Sequence, residues 1–332
     1  MQSNNGPAEV GGLDTIPADI KKHVWTGREM PNLAEDYDVI GFDADHCLVK
    51  YNLRNLYAHI CEIQSQDLVS KGGYPPEMAL FNPETDLQYC LNNGVFDIGK
   101  GNLLQLSEDK YIQRAYHGHK QLSENEIASQ YGASRVFENF DYPHVVRKID
   151  DTGYLVFMTY FDCCKIPILL QGVELIDSGA VKKSYCDLAN DYFDSVLRQY
   201  AHYTPEKVFP IREHGEFFDK VCEDPAKFIQ YQPELKQHLQ TLIQRGKKLF
   251  VATNSHHEYA EVIMTATFGK DWQSLFSLSI GNCQKPAFFK DSTRPGYLVD
   301  HKADNLKGPA ITSGTDMKEG EFYLEGNYAL LE

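Results

Sequence analysis

The chain has 332 residues, 42% hydrophobic and 24% charged, an ordinary globular composition with length enough for two domains. Its formal net charge of −15 excludes the broadly basic surface that binding to a nucleic-acid polymer requires, and no stretch approaches the roughly 20 apolar residues of a membrane span. Residues 1–12 are polar, with no apolar signal-peptide core, and the eight cysteines, two of them adjacent at Cys163-Cys164, read as reduced thiols of a cytoplasmic protein rather than a disulfide scaffold or zinc site.

Residues 1–35 carry little apolar periodicity and are expected to form a loose arm. The run Val39-Ile40-Gly41-Phe42 predicts a short buried strand ending on Asp43-Ala44-Asp45, with a helix starting before residue 60. Two carboxylates delivered into one sharp turn can divide labour. One attacks an electrophile, and the other handles the proton of the leaving group. The same pattern also occurs at plain turns and calcium loops; position after a strand, and three motifs downstream, favour the chemical reading.

Val95-Phe96-Asp97, residues 99–106 and Tyr111-Ile112 read as short strands of a hairpin-like insertion at about 95–118. His117 and His119 share one face of the last strand, which fits metal ligation or structural hydrogen bonding. Residues 123–205 read as mostly helical, including a buried helix entered through Pro167. Tyr160-Phe161-Asp162 offers aromatic faces and one polar partner, which suits stacking on a base, while core packing suits Phe161 equally. Cys163-Cys164 fits buried packing better than redox chemistry.

Leu235, Leu239, Leu242 and Ile243 mark one helical face, closed by Gly246. The continuous apolar run Leu249-Phe250-Val251-Ala252, ending in Thr253-Asn254-Ser255, reads as a fully buried parallel strand. His256-His257 begins the next helix, which runs over about 258–268 to Gly269. A strand over 276–280 then leads toward Lys285-Pro286. This alternation implies parallel βαβ units, in which ligands bind beyond the carboxyl ends of the strands. Asp43, Thr253 and Lys285 all fall there. Residues 290–320, rich in Gly, Pro, Asp and Lys, predict a flexible loop.

A nucleophilic Asp, a proton-transferring Asp, a hydroxyl and a lysine make a phosphoryl-transfer set. Lys285 neutralises phosphate charge, and Thr253 with nearby N–H groups holds the oxygens. A divalent cation is expected to help a carboxylate approach a dianion, and magnesium suits oxygen ligands.

The segments Gly41-Phe42-Asp43-Ala44-Asp45-His46-Cys47-Leu48, Ala252-Thr253-Asn254-Ser255 and Lys285-Pro286-Ala287-Phe288-Phe289 resemble motifs one, two and three of the haloacid dehalogenase superfamily. With residues 99–106 and Ala115-Tyr116-His117-Gly118-His119, the chain from about Tyr37 onward resembles the cytosolic purine 5′-nucleotidase family and its 5′-nucleotidase domain-containing relatives. The resemblance implies an α/β fold: a Rossmann-like parallel core (36–118 and 215–332) with a largely helical cap (119–214) inserted between motifs one and two. It implies that Asp43 forms an aspartyl-phosphate and that Asp45 protonates the leaving nucleoside and then activates water. Asp43 and the Asp45 carbonyl bind magnesium, Thr253, Asn254 and Lys285 serve the phosphate, and Phe161 and Asp162 face the nucleotide. The implied activity is magnesium-dependent hydrolysis of a nucleoside 5′-monophosphate, with homo-oligomerisation left open. Two departures stand out. Cys47 replaces the usual Thr or Val. The acidic fourth motif, which completes the magnesium site, is not found, so the core is expected to stop short of that strand. A non-catalytic binding or scaffold protein is the alternative.

Overall fold

The computed structural model describes residues 37–91, 94–138, 140, 153–199, 216–303 and 305–331. The arm expected at 1–35 lies outside the described residues.

β1 (Val39–Phe42) carries the chain to Asp43, and β2 (Lys50–Tyr51) follows the turn. α1 (Leu53–Lys71) starts on Asn52, whose side chain accepts from the Asn55 N–H, and it buries Leu56, Ile60, Cys61 and Leu68. β3 (Gly94–Asp97), β4 (Asn102–Leu106), β5 (Ile112–His117) and β6 (Lys120–Gln121) form an antiparallel meander. α2 (Glu124–Tyr131) begins with a reciprocal Ser123–Glu126 capping box.

The described residues of 123–205 are mostly helical, as expected, but they also hold a strand the sequence did not suggest, β7 (Tyr154–Phe157). It pairs antiparallel with β3, Val95 opposite Val156, and closes a five-stranded sheet of order β6-β5-β4-β3-β7. A four-residue apolar run carries too little periodicity to tell a strand from a helix, and its pairing partner lies far back in the chain. The sheet therefore spans the boundary drawn at 118/119. Residues 141–152 and 200–205 of the same stretch lie outside the described residues.

Helices follow: α3 (Tyr160–Cys163), α4 (Ile166–Asp177, with Pro167 in its first turn), α5 (Tyr185–Gln199) and α6 (Glu216–Glu223). Alternate residues of the antiparallel sheet face opposite ways. Val95, Leu104 and Ala115 pack beneath α2 with Ile127, whereas Phe96, Leu103 and Phe157 join the main core with α1, α4 and α5.

β8 (Ile229–Gln230) pairs with β2, and α7 (Pro233–Gln244) ends before Gly246 at φ 83. β9 (Lys248–Ala252), α8 (His257–Phe268), β10 (Leu278–Gly281) and the short α9 (Ala287–Lys290) complete the predicted alternation. The stretch expected as a flexible loop instead holds β11 (Gly296–Val299) and β12 (Lys307–Ile311), followed by β13 (Phe322–Glu325). Its Gly, Pro and Asp residues sit among these strands and their turns. Gly296 meets Glu325 on one side and Ile311 on the other, so a small residue with no apolar signal occupies a paired position.

The main sheet runs β1-β9-β10-β13-β11-β12. Its first four strands are parallel; β11 pairs antiparallel with β13, and β12 pairs antiparallel with β11. β1 and β12 are the edge strands of this sheet, and Val39 on β1 is 56% exposed. The carboxyl ends of β1, β9 and β10 open toward α3 and α5. Among the described residues, no helix is long and apolar enough to cross a membrane.

Candidate active site

The turn after β1 is closed by main-chain bonds from the Leu48 and Val49 N–H groups to the Ala44 carbonyl, 3.0 and 2.9 Å. His46 takes φ 58 within it, a left-handed conformation that helps the chain reverse. The turn sends its two carboxylates to different surroundings.

Asp43 is the more open of the two. Its Oδ1 accepts from the Ala44 N–H at 2.8 Å and pairs with Lys285 Nζ at 2.8 Å, with the side chains 45% and 20% exposed. Lys285 Nζ also donates to the Ala252 carbonyl at the end of β9, 2.9 Å away. The ammonium is thus fixed between two strand ends and aimed at Asp43. Asn254 holds the loop that carries it: its Oδ1 accepts from the Lys285 N–H at 2.7 Å, and its Nδ2 donates to the Lys285 carbonyl.

Asp45 turns inward. Tyr51 Oη donates to its Oδ1 at 2.6 Å and Ser255 Oγ to its Oδ2 at 2.5 Å, with Thr253 Oγ1 further off at 3.5 Å. The Tyr259 hydroxyl lies 3.1 Å from that of Tyr51 and backs it. Burial raises the Asp45 pKa above the usual carboxylate range; the Ser255 and Tyr51 hydroxyls oppose that rise, and the Asp43 charge adds to it. One turn therefore presents an ion-paired carboxylate beside a carboxyl that retains its proton more readily. Such a split suits nucleophile and acid roles.

Both carboxylates open on a cavity of about 320 Å³, which Phe161, Asp162, Lys165, Val196, Phe217, Asn254, Ser255 and Tyr259 also line. A volume of this order suits a small organic ligand. The structure brings Asp43, Asp45, Thr253, Asn254 and Lys285 together from three strand ends, and sets Phe161 and Asp162 on the facing wall. Thr253 is fully buried and its Oγ1 accepts from the Ser255 N–H, so it braces the β9 turn. Asp162 Oδ2 accepts from Thr159 Oγ1 at 2.8 Å, and its Oδ1 lies 3.8 Å from Lys165 Nζ.

Sequence reasoning missed Lys165, Tyr51, Tyr259 and Phe217, and did not single out Ser255. Ser255 was within reach, two residues past Thr253 at a strand end. Lys165 follows two cysteines at the start of α4 and is 2% exposed; nothing in a charged residue's type foretells burial.

The remaining motifs have structural partners. His117 contacts Asn102 Oδ1 and Asp177 Oδ2, each at 2.7 Å, and His119 Nδ1 pairs with Glu174 at 2.9 Å. These bonds tie β5 to the end of α4. Cys163 and Cys164 are buried, and the described cysteines are free thiols. His256 stands at the N-cap position of α8 without a side-chain capping bond, and His257 begins the helix.

Among the described residues, no three His, Cys, Asp or Glu side chains converge as a metal cage. Asp43 has one oxygen engaged by Lys285 and Ala44, and both oxygens of Asp45 accept from hydroxyls. The donors here are oxygens, the ligand type that magnesium takes together with substrate phosphate and water.

A sequence profile described as the 5′ nucleotidase family matches residues 31–332. 5′-Nucleotidase domain-containing protein 1 of Bos taurus is 30% identical over 294 residues, covering 87% of this chain and 62% of that protein. Its Homo sapiens counterpart is 28% identical over 301 residues, covering 87% and 61%. Human 5′-nucleotidase domain-containing protein 2 is 24% identical over 296 residues, covering 88% and 52%. The chain thus spans about six-tenths of the length of the first two relatives.

Proposed function

The chain belongs to the 5′ nucleotidase family, and from that premise we propose that it is a magnesium-dependent phosphomonoester hydrolase of haloacid dehalogenase type, acting on nucleoside 5′-monophosphates through an aspartyl-phosphate. The observation that carries this reading is the Asp43–Lys285 pair at 2.8 Å, with Asp45 beside it at the mouth of one cavity.

Lys285 neutralises charge on the incoming phosphate and holds Asp43 in place. A carboxylate oxygen of Asp43 attacks phosphorus, and the bond to the nucleoside 5′-oxygen breaks. Asp45, whose burial favours the protonated form, gives its proton to that oxygen. The ionised Asp45 then takes a proton from water as the water attacks phosphorus, which releases phosphate and restores Asp43. Ser255 and Tyr51 hold Asp45 in place for both transfers. Asp43 and the Asp45 main-chain oxygen would hold the magnesium ion, which when bound offsets phosphate charge. Phe161 supplies a face for the base, and Lys165 with Asp162 supplies polar contacts beyond it.

A second reading, a binding or scaffold protein that keeps the pocket, rests on the sparse acidic donor set. One experiment separates the two. The purified chain is assayed for phosphate release from a panel of nucleoside 5′-monophosphates with and without magnesium, alongside calorimetric binding of the same nucleotides. Multiple turnovers dependent on magnesium support the hydrolase. Binding without release supports the scaffold and rejects catalysis.

A further inference from the structure

We propose that His46 is a positioning residue: its ring is the seat on which the Tyr160–Phe161 segment rests over the Asp43–Asp45 turn, joining the leaving-group wall to the catalytic turn. The kinetic part of the argument rests on the hydrolase reading above; the structural part does not.

Four rings from three places in the chain meet here. His46 lies 4.8 Å from Tyr51, 4.8 Å from Tyr160 and 5.0 Å from Phe161, ring centre to ring centre. Tyr51 and Phe161 meet edge-on at 5.7 Å. Tyr51 holds Asp45 through its hydroxyl, and Phe161 lines the cavity. A continuous path of contacts therefore runs from the carboxylate turn, through His46 and Tyr51, to the wall that faces the leaving group.

Two features set His46 apart from an acid–base group. It is not among the residues that line the cavity onto which Asp43 and Asp45 open. Its Nε2 is buried with no hydrogen-bond partner among the described residues. The imidazole therefore contributes its faces, and aromatic rings at these separations attract through edge and offset contacts. The backbone points the same way. At φ 58 a glycine would be the relaxed choice, so a bulky ring at this position is held by what it packs against.

The test uses the full chain and three variants. His46→Asn tolerates the left-handed backbone but removes the stacking ring. His46→Phe keeps a ring and removes the nitrogens. Tyr160→Ala removes one partner from the other side, at a residue 45% exposed. The first readout is amide hydrogen exchange over residues 158–165 without substrate. The second is KM and kcat for a nucleoside 5′-monophosphate and for p-nitrophenyl phosphate.

His46→Asn and Tyr160→Ala should speed exchange in 158–165 by about tenfold while leaving 248–252 unchanged. His46→Asn should raise KM for the nucleotide about tenfold, with its kcat and both constants for the aryl phosphate within about twofold. His46→Phe, which keeps a ring but suits the left-handed backbone less well, should lie closer to wild type than to His46→Asn in both. Unchanged exchange in His46→Asn overturns the proposal whatever the kinetics. Equal loss on both substrates, or a His46→Phe variant as impaired as His46→Asn, also overturns it. If the wild type hydrolyses neither ester, the hydrolase reading fails on its own, and exchange alone decides the role of His46.

Discussion

Asp43 and Asp45 leave one turn with opposite partners, and that difference is the chemistry of the site. Asp43 meets a lysine ammonium at 2.8 Å; Asp45 meets two hydroxyls in a buried setting. Replacing Asp43 by Asn keeps the shape and the Ala44 contact but removes the proposed nucleophile. Asp43→Asn should lower kcat for phosphate release by at least about a thousandfold, with an unchanged melting temperature. Turnover close to wild type would transfer the role elsewhere. The pairing of Asp43 with Lys285 was legible in the sequence, because both end apolar runs that read as parallel strands. The donors to Asp45 were less so. Tyr51 lies on a two-residue strand with no periodicity to place it, and Tyr259 reads as an ordinary helix residue.

At the level of elements, α8 and α4 show how packing sets limits that propensity does not. His257, at the start of α8, is 6% exposed and packs against Phe322 and His301. Burial and the neighbouring His301 push its pKa down from 6.5 to about 4. The folded state thus binds fewer protons here than the unfolded chain. Its stability contribution is present above pH 6.5 and is lost as pH falls toward about 4. His257→Phe should therefore lose less stability across that window, by about 2–3 kcal/mol, in denaturant titrations at several pH values. Parallel curves for the two proteins would reject this origin of acid sensitivity. In α4, a Cβ added to Gly172 would lie 2.5 Å from Leu188 of α5. Gly172→Val should destabilise by about 1–3 kcal/mol in the same titration, because the fully buried Leu188 side chain would have to shift. An unchanged midpoint would show that the two helices can separate freely. Helices α4, α7 and α8 were readable from apolar spacing and terminal Pro or Gly. β7, β11 and β12 were not, since four- or five-residue strands owe their identity to distant partners.

Across the whole molecule, the parallel strands bring Asp43, Asp45, Asn254 and Ser255 to one end, and the inserted region supplies a second wall. Phe161, Asp162 and Lys165 come from α3 and the start of α4, while Asp43, Asp45, Asn254 and Ser255 come from strand ends. In the proposed reaction, recognition of the leaving group and handling of phosphate would thereby be separated in space. Phe161→Ala should change the ratio of kcat/KM between nucleotides by about tenfold, while altering p-nitrophenyl phosphate hydrolysis by no more than about twofold. Equal effects on both would assign Phe161 to packing. The α/β class and the convergence of three strand ends were visible in the alternation of apolar runs. The antiparallel sheet that supports the inserted region was only half visible: its hairpin could be read, but not the strand that closes it. The claim on which all of this turns is that Asp43 carries the phosphoryl group. The direct measurement is borohydride trapping during turnover of a nucleoside 5′-monophosphate with magnesium, followed by peptide mass analysis. Reduction of an aspartyl-phosphate should leave homoserine at position 43, only when substrate is present. Phosphate release with Asp43 recovered unmodified would contradict the account.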